Sequence, residues 1–449
     1  MKNEGKERDK IEELLKSAGA NPGDTIAIEE KSRSISIEGE LMPKTENNAP
    51  DVIVVKLHNG YNIGIKYSED MKIKKLKSGT IPAFPETVIN TKGKPRIGLI
   101  YTGGTIGSKI DYKTGGVYML LKPGELIHEV PEIGGVAEIE VKNLFSIASE
   151  DMSYIEWQKI AESVAEMLNR GKRGVVVTTG TDTMHYIASA LSFMLQNLNA
   201  PVVLTGAQRS SDRGSSDAFL NLSCAVELAT HSDIAEVGIC MHATSSDTGC
   251  AFIRGTRARK MHTSRRDAFR PINSKPIAYI GEDFKISYMS EYKKIESSSK
   301  KVVAMTGFER KVALVKAYPN SDPGIIDYYQ SKGYKGIIIE GTGLGHTPVS
   351  IEHEGYSWLP TIKEAIEKGM VIGMTSQCIY GRVNPNVYRN LRLLSNAGVV
   401  YCEDMLPETA YVKLGWLLGN YEKEQAKKLL NKNIAGEISS RSGYDEFMI

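Results

Sequence analysis

Hydrophobic and polar positions change rhythm twice along this chain. From Asp24 to Glu40 they alternate, as in Thr25-Ile26-Ala27-Ile28 and Ser34-Ile35-Ser36-Ile37-Glu38, which is the period of a half-buried strand. Val52-Ile53-Val54-Val55 then precedes His58-Asn59-Gly60 and Tyr61-Asn62-Ile63-Gly64-Ile65, and Asn-Gly between apolar runs predicts a hairpin. A charged helix over Lys6 to Ala18 leads into this region. Short strands with tight turns predict a small β-barrel domain over residues 1–80, followed by a linker over 81–95 that holds Pro82, Pro85 and Pro95.

From Arg96 the rhythm becomes strand, loop, helix. Ile97-Gly98-Leu99-Ile100-Tyr101, Gly174-Val175-Val176-Val177-Thr178 and Pro201-Val202-Val203-Leu204 are apolar runs that each end in a glycine-containing loop, and helical patterns follow the last two. Repeated units of this kind predict a parallel sheet wrapped by helices over 96–290, with ligands at the carboxyl ends of its strands. The polar stretch Glu291 to Lys301 reads as a second linker. Beyond it Val312-Ala313-Leu314-Val315, Gly336-Ile337-Ile338-Ile339 and Met370-Val371-Ile372-Gly373 alternate with helical stretches, predicting a smaller α/β domain over 302–435.

Composition narrows the classes. A net charge of +2 over 449 residues gives no whole-chain field toward nucleic acid or an anionic membrane, and the mix of 41% hydrophobic and 24% charged residues is that of a globular chain. No run of 18 apolar residues occurs and the first residues are charged, so a cytoplasmic protein is expected. The five cysteines are scattered without a C-x-x-C pair and the eight histidines lack ligand spacing, which predicts reduced thiols and no protein-bound metal.

Chemistry concentrates in three segments. Thr102-Gly103-Gly104-Thr105-Ile106-Gly107 sets two hydroxyls around paired glycines directly after an apolar strand, where backbone N–H groups can face a developing oxyanion. A tight turn or a phosphate loop is the alternative, although neither G-x-x-x-x-G-K-[ST] nor G-x-G-x-x-G fits. Thr179-Gly180-Thr181-Asp182-Thr183-Met184 pairs hydroxyls with a carboxylate at a helix start; here the alternative is that Asp182 or Thr183 only caps the helix. The third, Arg254-Gly255-Thr256-Arg257-Ala258-Arg259-Lys260, is a solvated basic face or else the source of a proton acceptor. A hydroxyl nucleophile needs such an acceptor, and a lysine supplies one once neighbouring cations and desolvation favour its neutral form. Asp182 acts in the opposite sense, so Thr181, Lys260 and Asp182 read as one coupled unit.

These residues, in this order, resemble the L-asparaginase/glutaminase family: Thr-Gly-Gly-Thr-Ile at 102–106, Ser149-Glu150-Asp151-Met152, Gly-Thr-Asp-Thr-Met at 180–184 and then Lys260. The resemblance spans about residues 96–430 and implies an asparaginase-like two-domain α/β, parallel-sheet architecture. It makes Thr105 the first nucleophile candidate and Thr181, Asp182 and Lys260 a second catalytic cluster, with Ser149 and Glu150 holding the amino-acid end of the substrate. A helix cap before Tyr154 is the alternative for Ser149 and Glu150. The family also carries a catalytic tyrosine on a hairpin after the first loop, where Tyr112 and Tyr118 both lie and Tyr118 is preferred. The residue that the family takes from a neighbouring subunit has no assignable counterpart here, and Gly341-Thr342-Gly343-Leu344-Gly345-His346, which looks like a dinucleotide loop, lacks the third glycine and reads as a turn.

The N-terminal domain and the wording of Thr205-Gly206-Ala207-Gln208-Arg209-Ser210-Ser211-Asp212 narrow the resemblance to the GatD family of archaeal glutamyl-tRNA(Gln) amidotransferase subunits. That family implies a homodimer inside a heterotetramer, glutamine or asparagine as ammonia donor, and a GatE partner that holds Glu-tRNA(Gln), ATP and Mg²⁺, with no cofactor on this chain. A free-standing asparaginase is the rival reading. A non-catalytic RNA-binding module is another, but residues 1–80 carry 14 basic and 14 acidic side chains, no surplus for gripping phosphates.

Overall fold

The N-terminal alternation is realised as an antiparallel sheet. The computed structural model describes residues 4–21, 23–42, 51–57, 62–78, 93–110, 117–119, 133, 135–210, 216–297, 300–349, 355–444 and 447. A helix, Glu4–Ser17, precedes strands β1 (Thr25–Glu30), β2 (Ile35–Leu41), β3 (Val52–Lys56), β4 (Asn62–Lys66) and β5 (Lys72–Lys77), hydrogen-bonded in the order β4-β3-β2-β1-β5. The His58-Asn59-Gly60 turn lies outside the described residues, yet the strands it joins pair antiparallel with Lys56 opposite Asn62. Alternation sorts the side chains: Ile26, Ile28, Ile53, Val55 and Ile65 point inward and pack with Ile11 of the helix. Among the described residues no ladder joins β4 to β5, and closure into a barrel would need one.

The central sheet is mixed rather than purely parallel. Chain order runs β6 (Arg96–Tyr101), a hairpin of β7 (Ser108–Ile110) and β8 (Val117–Met119), β9 (Glu138–Asn143), β10 (Val175–Thr178), β11 (Leu195–Gln196), β12 (Val202–Thr205), β13 (Val237–His242) and β14 (Gly249–Arg254). There follow β15 (Ala258–Lys260), β16 (Phe269–Pro271), β17 (Ala278–Gly281), β18 (Ile286–Tyr288) and β19 (Val303–Ala304). The eight-stranded order is β18-β17-β14-β13-β12-β10-β6-β9; β9, β6, β10, β12 and β13 pair in parallel, and β14, β17 and β18 are antiparallel. Loop length explains the reversal. Residues 243–248 are too few for a crossover, so β14 must return beside β13 as a hairpin.

Helices Tyr154–Asn169 and Met184–Met194 cover one face of this sheet and Ala218–His231 the other. The smaller domain is a parallel sheet of β20 (Val312–Lys316), β21 (Gly336–Gly341), β22 (Val371–Ser376) and β23 (Val400–Tyr401). Its helix Pro407–Asn420 shares one apolar core with Met184–Met194, so the two domains meet beside the second hydroxyl loop.

Candidate active site

Three parallel strands deliver three loops to one end of the sheet. The first leaves β6 at Thr102, whose backbone N–H and hydroxyl both donate to Thr178 O, at 3.1 and 2.9 Å. Gly103 and Gly104 then adopt φ of +106° and +86°, a region costly for any residue with a Cβ, and Thr105 opens a short 3-10 turn to Gly107. A Cβ on Gly104 would lie 2.3 Å from Gly180 N, so the first and second loops touch backbone to backbone. Gly180 in turn faces Ser149, whose Cβ and Oγ would each be 2.8 Å from a Cβ there, and a Cβ on Gly206 of the third loop would lie 2.5 Å from Thr179 O of the second. Thr105, Ser149 and Thr181 therefore sit on loops with no space for side chains between them.

Lys260 reaches this end by a different route. β14 runs away from the loops, a turn closes with Arg257 N donating to Arg254 O at 2.9 Å, and β15 runs back along the helix Met184–Met194. Its last residue is Lys260, whose Nζ donates to Thr181 Oγ1 at 2.9 Å and to Asp182 Oδ1 at 2.6 Å. The Lys260 side chain is 9% exposed and that of Asp182 65%, so the carboxylate meets solvent while the ammonium is enclosed. Arg257 is buried and paired with Asp404, and Arg259 pairs with Glu408 at 3.0 Å. The basic segment is thus largely interior.

The capping alternatives resolve in the same geometry. The helix Tyr154–Asn169 is capped by Ser153 in a capping box with Glu156, which leaves Ser149 and Glu150 outside it in their own 3-10 turn. Thr183 stands at the N-cap of the next helix without capping it; its hydroxyl donates to Ser149 O at 2.6 Å and ties the Ser149 turn to the second loop. Ser149 is buried and Glu150 exposed. Tyr118 lies in β8 opposite Lys109 of β7, and Tyr112 lies outside the described residues.

Two residues not singled out in the sequence join the cluster. Gln208 Oε1 accepts from Thr181 Oγ1 at 3.4 Å, and its backbone N–H, with that of Arg209, is held at 3.0 Å by the buried carboxylate of Asp217. The other is His185, second residue of the helix Met184–Met194, buried and held down to a pKa of about 4 by burial and then by the Arg259 and Lys260 cations. Position was the available signal for both: Gln208 follows the third strand-end glycine, and His185 falls three residues after Asp182. The Thr342 to His346 segment closes on itself through Thr342 N to His346 O and His346 N to Thr342 O, both 2.9 Å, a turn rather than a nucleotide loop. All five cysteines are unpaired, and no described group of three His, Cys, Asp or Glu residues could hold a metal ion.

An asparaginase N-terminal family model matches residues 96–292, a glutaminase/asparaginase C-terminal model residues 311–430, and a GatD N-terminal domain model residues 20–76. The GatD subunit of the glutamyl-tRNA(Gln) amidotransferase of Pyrococcus abyssi is 50% identical over 446 residues, 98% of this chain and 100% of its own. The chain belongs to the GatD family of glutamyl-tRNA(Gln) amidotransferase subunits. Its fold outside the N-terminal sheet is that of L-asparaginases. The Thermococcus kodakarensis enzyme superposes with a TM-score of 0.67 at 28% identity, covering 77% of this chain and 99% of its own. L-asparaginase I of Vibrio cholerae gives 0.68 at 29%, covering 77% and 100%. This chain thus joins an asparaginase fold to a GatD N-terminal domain.

Proposed function

We propose that this chain is the amide-hydrolysing subunit of a glutamyl-tRNA(Gln) amidotransferase, releasing ammonia from glutamine or asparagine. The observation that carries the chemistry is the contact of Lys260 with both Thr181 Oγ1 and Asp182 Oδ1 beside the Thr105 loop. In this reading the Thr105 hydroxyl attacks the side-chain amide carbon, forming a C–O bond as the amide nitrogen takes a proton and leaves as ammonia. Water then cleaves the acyl ester, returning the Thr105 hydroxyl and releasing glutamate or aspartate. Thr181 and Lys260 carry protons in these steps, and Asp182 orients the lysine. Ser149 and Glu150 bind the amino-acid end of the donor, a carboxylate suiting an ammonium by charge, and Tyr118 on its hairpin completes the set.

The 50% identity over the full length of a GatD subunit supports the assignment to a multisubunit enzyme. In that assembly this chain is a homodimer in the cytoplasm, and GatE binds Glu-tRNA(Gln), activates the glutamyl carboxylate with ATP and Mg²⁺, and consumes the ammonia. No cofactor is assigned to this chain. The test is ammonia release from glutamine and from asparagine by the chain alone, with GatE, and with GatE plus Glu-tRNA(Gln) and ATP. Turnover that rises with partner and charged tRNA is expected. Equal rates in all three would return the chain to a plain asparaginase.

A further inference from the structure

Beyond its last α-helix, Lys423–Leu430, the chain adds no further α-helix or strand among the described residues, yet residues 433–439 make an unusual set of polar contacts. Glu437 is fully buried, receives the backbone N–H groups of Ile434 and Ala435, and pairs at 2.6 Å with the equally buried Lys413 of the helix Pro407–Asn420. Gly436 has φ of +80°, and a Cβ on it would lie 2.4 Å from Arg254 Cδ. The segment is therefore pinned to the smaller domain on one side and pressed against the end of β14 on the other.

Ser439 O also accepts from Arg382 Nη2 at 2.6 Å, and further contacts of the segment reach the turn that carries β15. Arg257 Nε donates to Gly436 O at 2.9 Å, Nη2 to Ser439 Oγ at 2.7 Å and Nη1 to Asp404 Oδ2 at 3.0 Å. Thr256 Oγ1 donates to Ala435 O at 3.0 Å, and Ser439 N donates to Asp404 Oδ1 at 3.0 Å. Thr409 of the same smaller-domain helix donates to Thr256 O at 3.1 Å and meets Ser189 Oγ at 3.0 Å. Only Ala258 and Arg259 stand between Arg257 and Lys260.

From this we infer that residues 433–439 form a strap that sets the position of Lys260, with Arg257 as the positioning residue through which the smaller domain governs the proton-transfer unit. A guanidinium bonded to Gly436, Ser439 and Asp404 at once fixes both the height and the rotation of the strand that follows it, which a single ammonium cannot do. Displacing that strand moves Nζ relative to Thr181 while the threonine loops, held by the main sheet, stay in place.

The inference rests on the amide-hydrolysing reading, and the experiment separates the two. Ammonia release is measured for wild type, Arg257→Lys, Arg257→Met and Ser439→Ala across pH, together with thermal unfolding of each. Loss of positioning predicts that Arg257→Lys lowers kcat about tenfold or more, with KM within about twofold and the kcat–pH profile displaced. Ser439→Ala, which removes one bond from the strap side and leaves the buried ion pair, shows a smaller change in the same direction and serves if Arg257→Met does not fold. An active wild type whose Arg257→Lys and Ser439→Ala variants lose only unfolding temperature, at unchanged kcat and pH profile, overturns the strap as a positioning device. A wild type that releases no ammonia in any of the partner conditions rejects the amidase reading itself, and the strap inference with it.

Discussion

Gly104 and Gly180 stand so close that a Cβ on the first would fall 2.3 Å from the backbone nitrogen of the second. The neighbouring atoms are backbone, which cannot rotate aside as a flexible side chain would. This contact sets the spacing between the Thr105 turn and the Thr181-Asp182 pair, so the separation of the two candidate threonines is fixed by the absence of side chains between them.

Gly104→Ala is therefore expected to be severe on two grounds. Its φ of +86° is strained for alanine by about 1–3 kcal/mol, and the clash pushes the loops apart as well. Amide hydrolysis falls at least about a hundredfold, the reach of a displaced reacting group, while circular dichroism still reports a folded chain. Near wild-type ammonia release would show that the loops tolerate separation.

Thr105→Ala and Thr181→Ala each remove a hydroxyl and a methyl from a loop and leave the Gly104–Gly180 backbone contact untouched. Each is expected to lower turnover by about 10²–10⁴-fold, the scale of losing a proton-transfer or nucleophilic group. Lys260→Arg is expected to fail to the same degree, because a guanidinium holds its proton at working pH and cannot occupy the point between Thr181 Oγ1 and Asp182 Oδ1 in the same geometry. Activity retained in Lys260→Arg would assign position 260 a role through charge alone.

Gln208→Ala removes the acceptor for the Thr181 hydroxyl. One neutral hydrogen bond is worth about 1 kcal/mol, so kcat should change by roughly fivefold, far less than for Thr181→Ala. Steady-state rates at saturating glutamine decide the matter. A loss as deep as that of Thr181→Ala would place Gln208 in direct contact with the reacting atoms.

Protonation of His185 links the site to acid stability. Burial and then two neighbouring cations hold its pKa at about 4, against 6.5 ordinarily. Between those values the unfolded chain binds a proton that the folded one refuses, so stability falls as pH drops from 6.5 toward 4, by about 3 kcal/mol for this group in full. The difference in unfolding temperature between pH 7 and pH 5 should be larger for wild type than for His185→Gln. Identical differences in the two proteins would mean that the imidazole takes up its proton as readily in the fold as in the unfolded chain.

The three threonine- and glycine-bearing strand ends were legible because each follows an apolar run buried on both faces, a pattern local to a few residues. Lys260 was legible as a residue but its surroundings were not. Whether the segment Thr256-Arg257-Ala258-Arg259 faces water or the interior depends on Asp404, Glu408 and residues 435–439, far along the chain in the smaller domain and beyond it, and no local pattern encodes that. The reversal at β14 is hard to read for a related reason: Cys250 to Ile253 is a buried strand pattern in either direction, and only the shortness of 243–248 distinguishes them. Gln208 escaped because a glutamine after a glycine turn resembles an ordinary polar loop residue until Asp217 is seen to hold its backbone.

The route by which β15 carries Lys260 back from the Arg254–Arg257 turn also constrains how this chain can vary. Loops at the outer edges of the sheet can lengthen without moving the threonines. One residue added between Ala258 and Lys260 would advance the lysine by roughly 3.3 Å and turn its side chain to the opposite face of the strand. Repairing such a change would require a compensating deletion within the same three residues, so among related chains the count from that turn to the lysine should be invariant even where the amino acids between them differ.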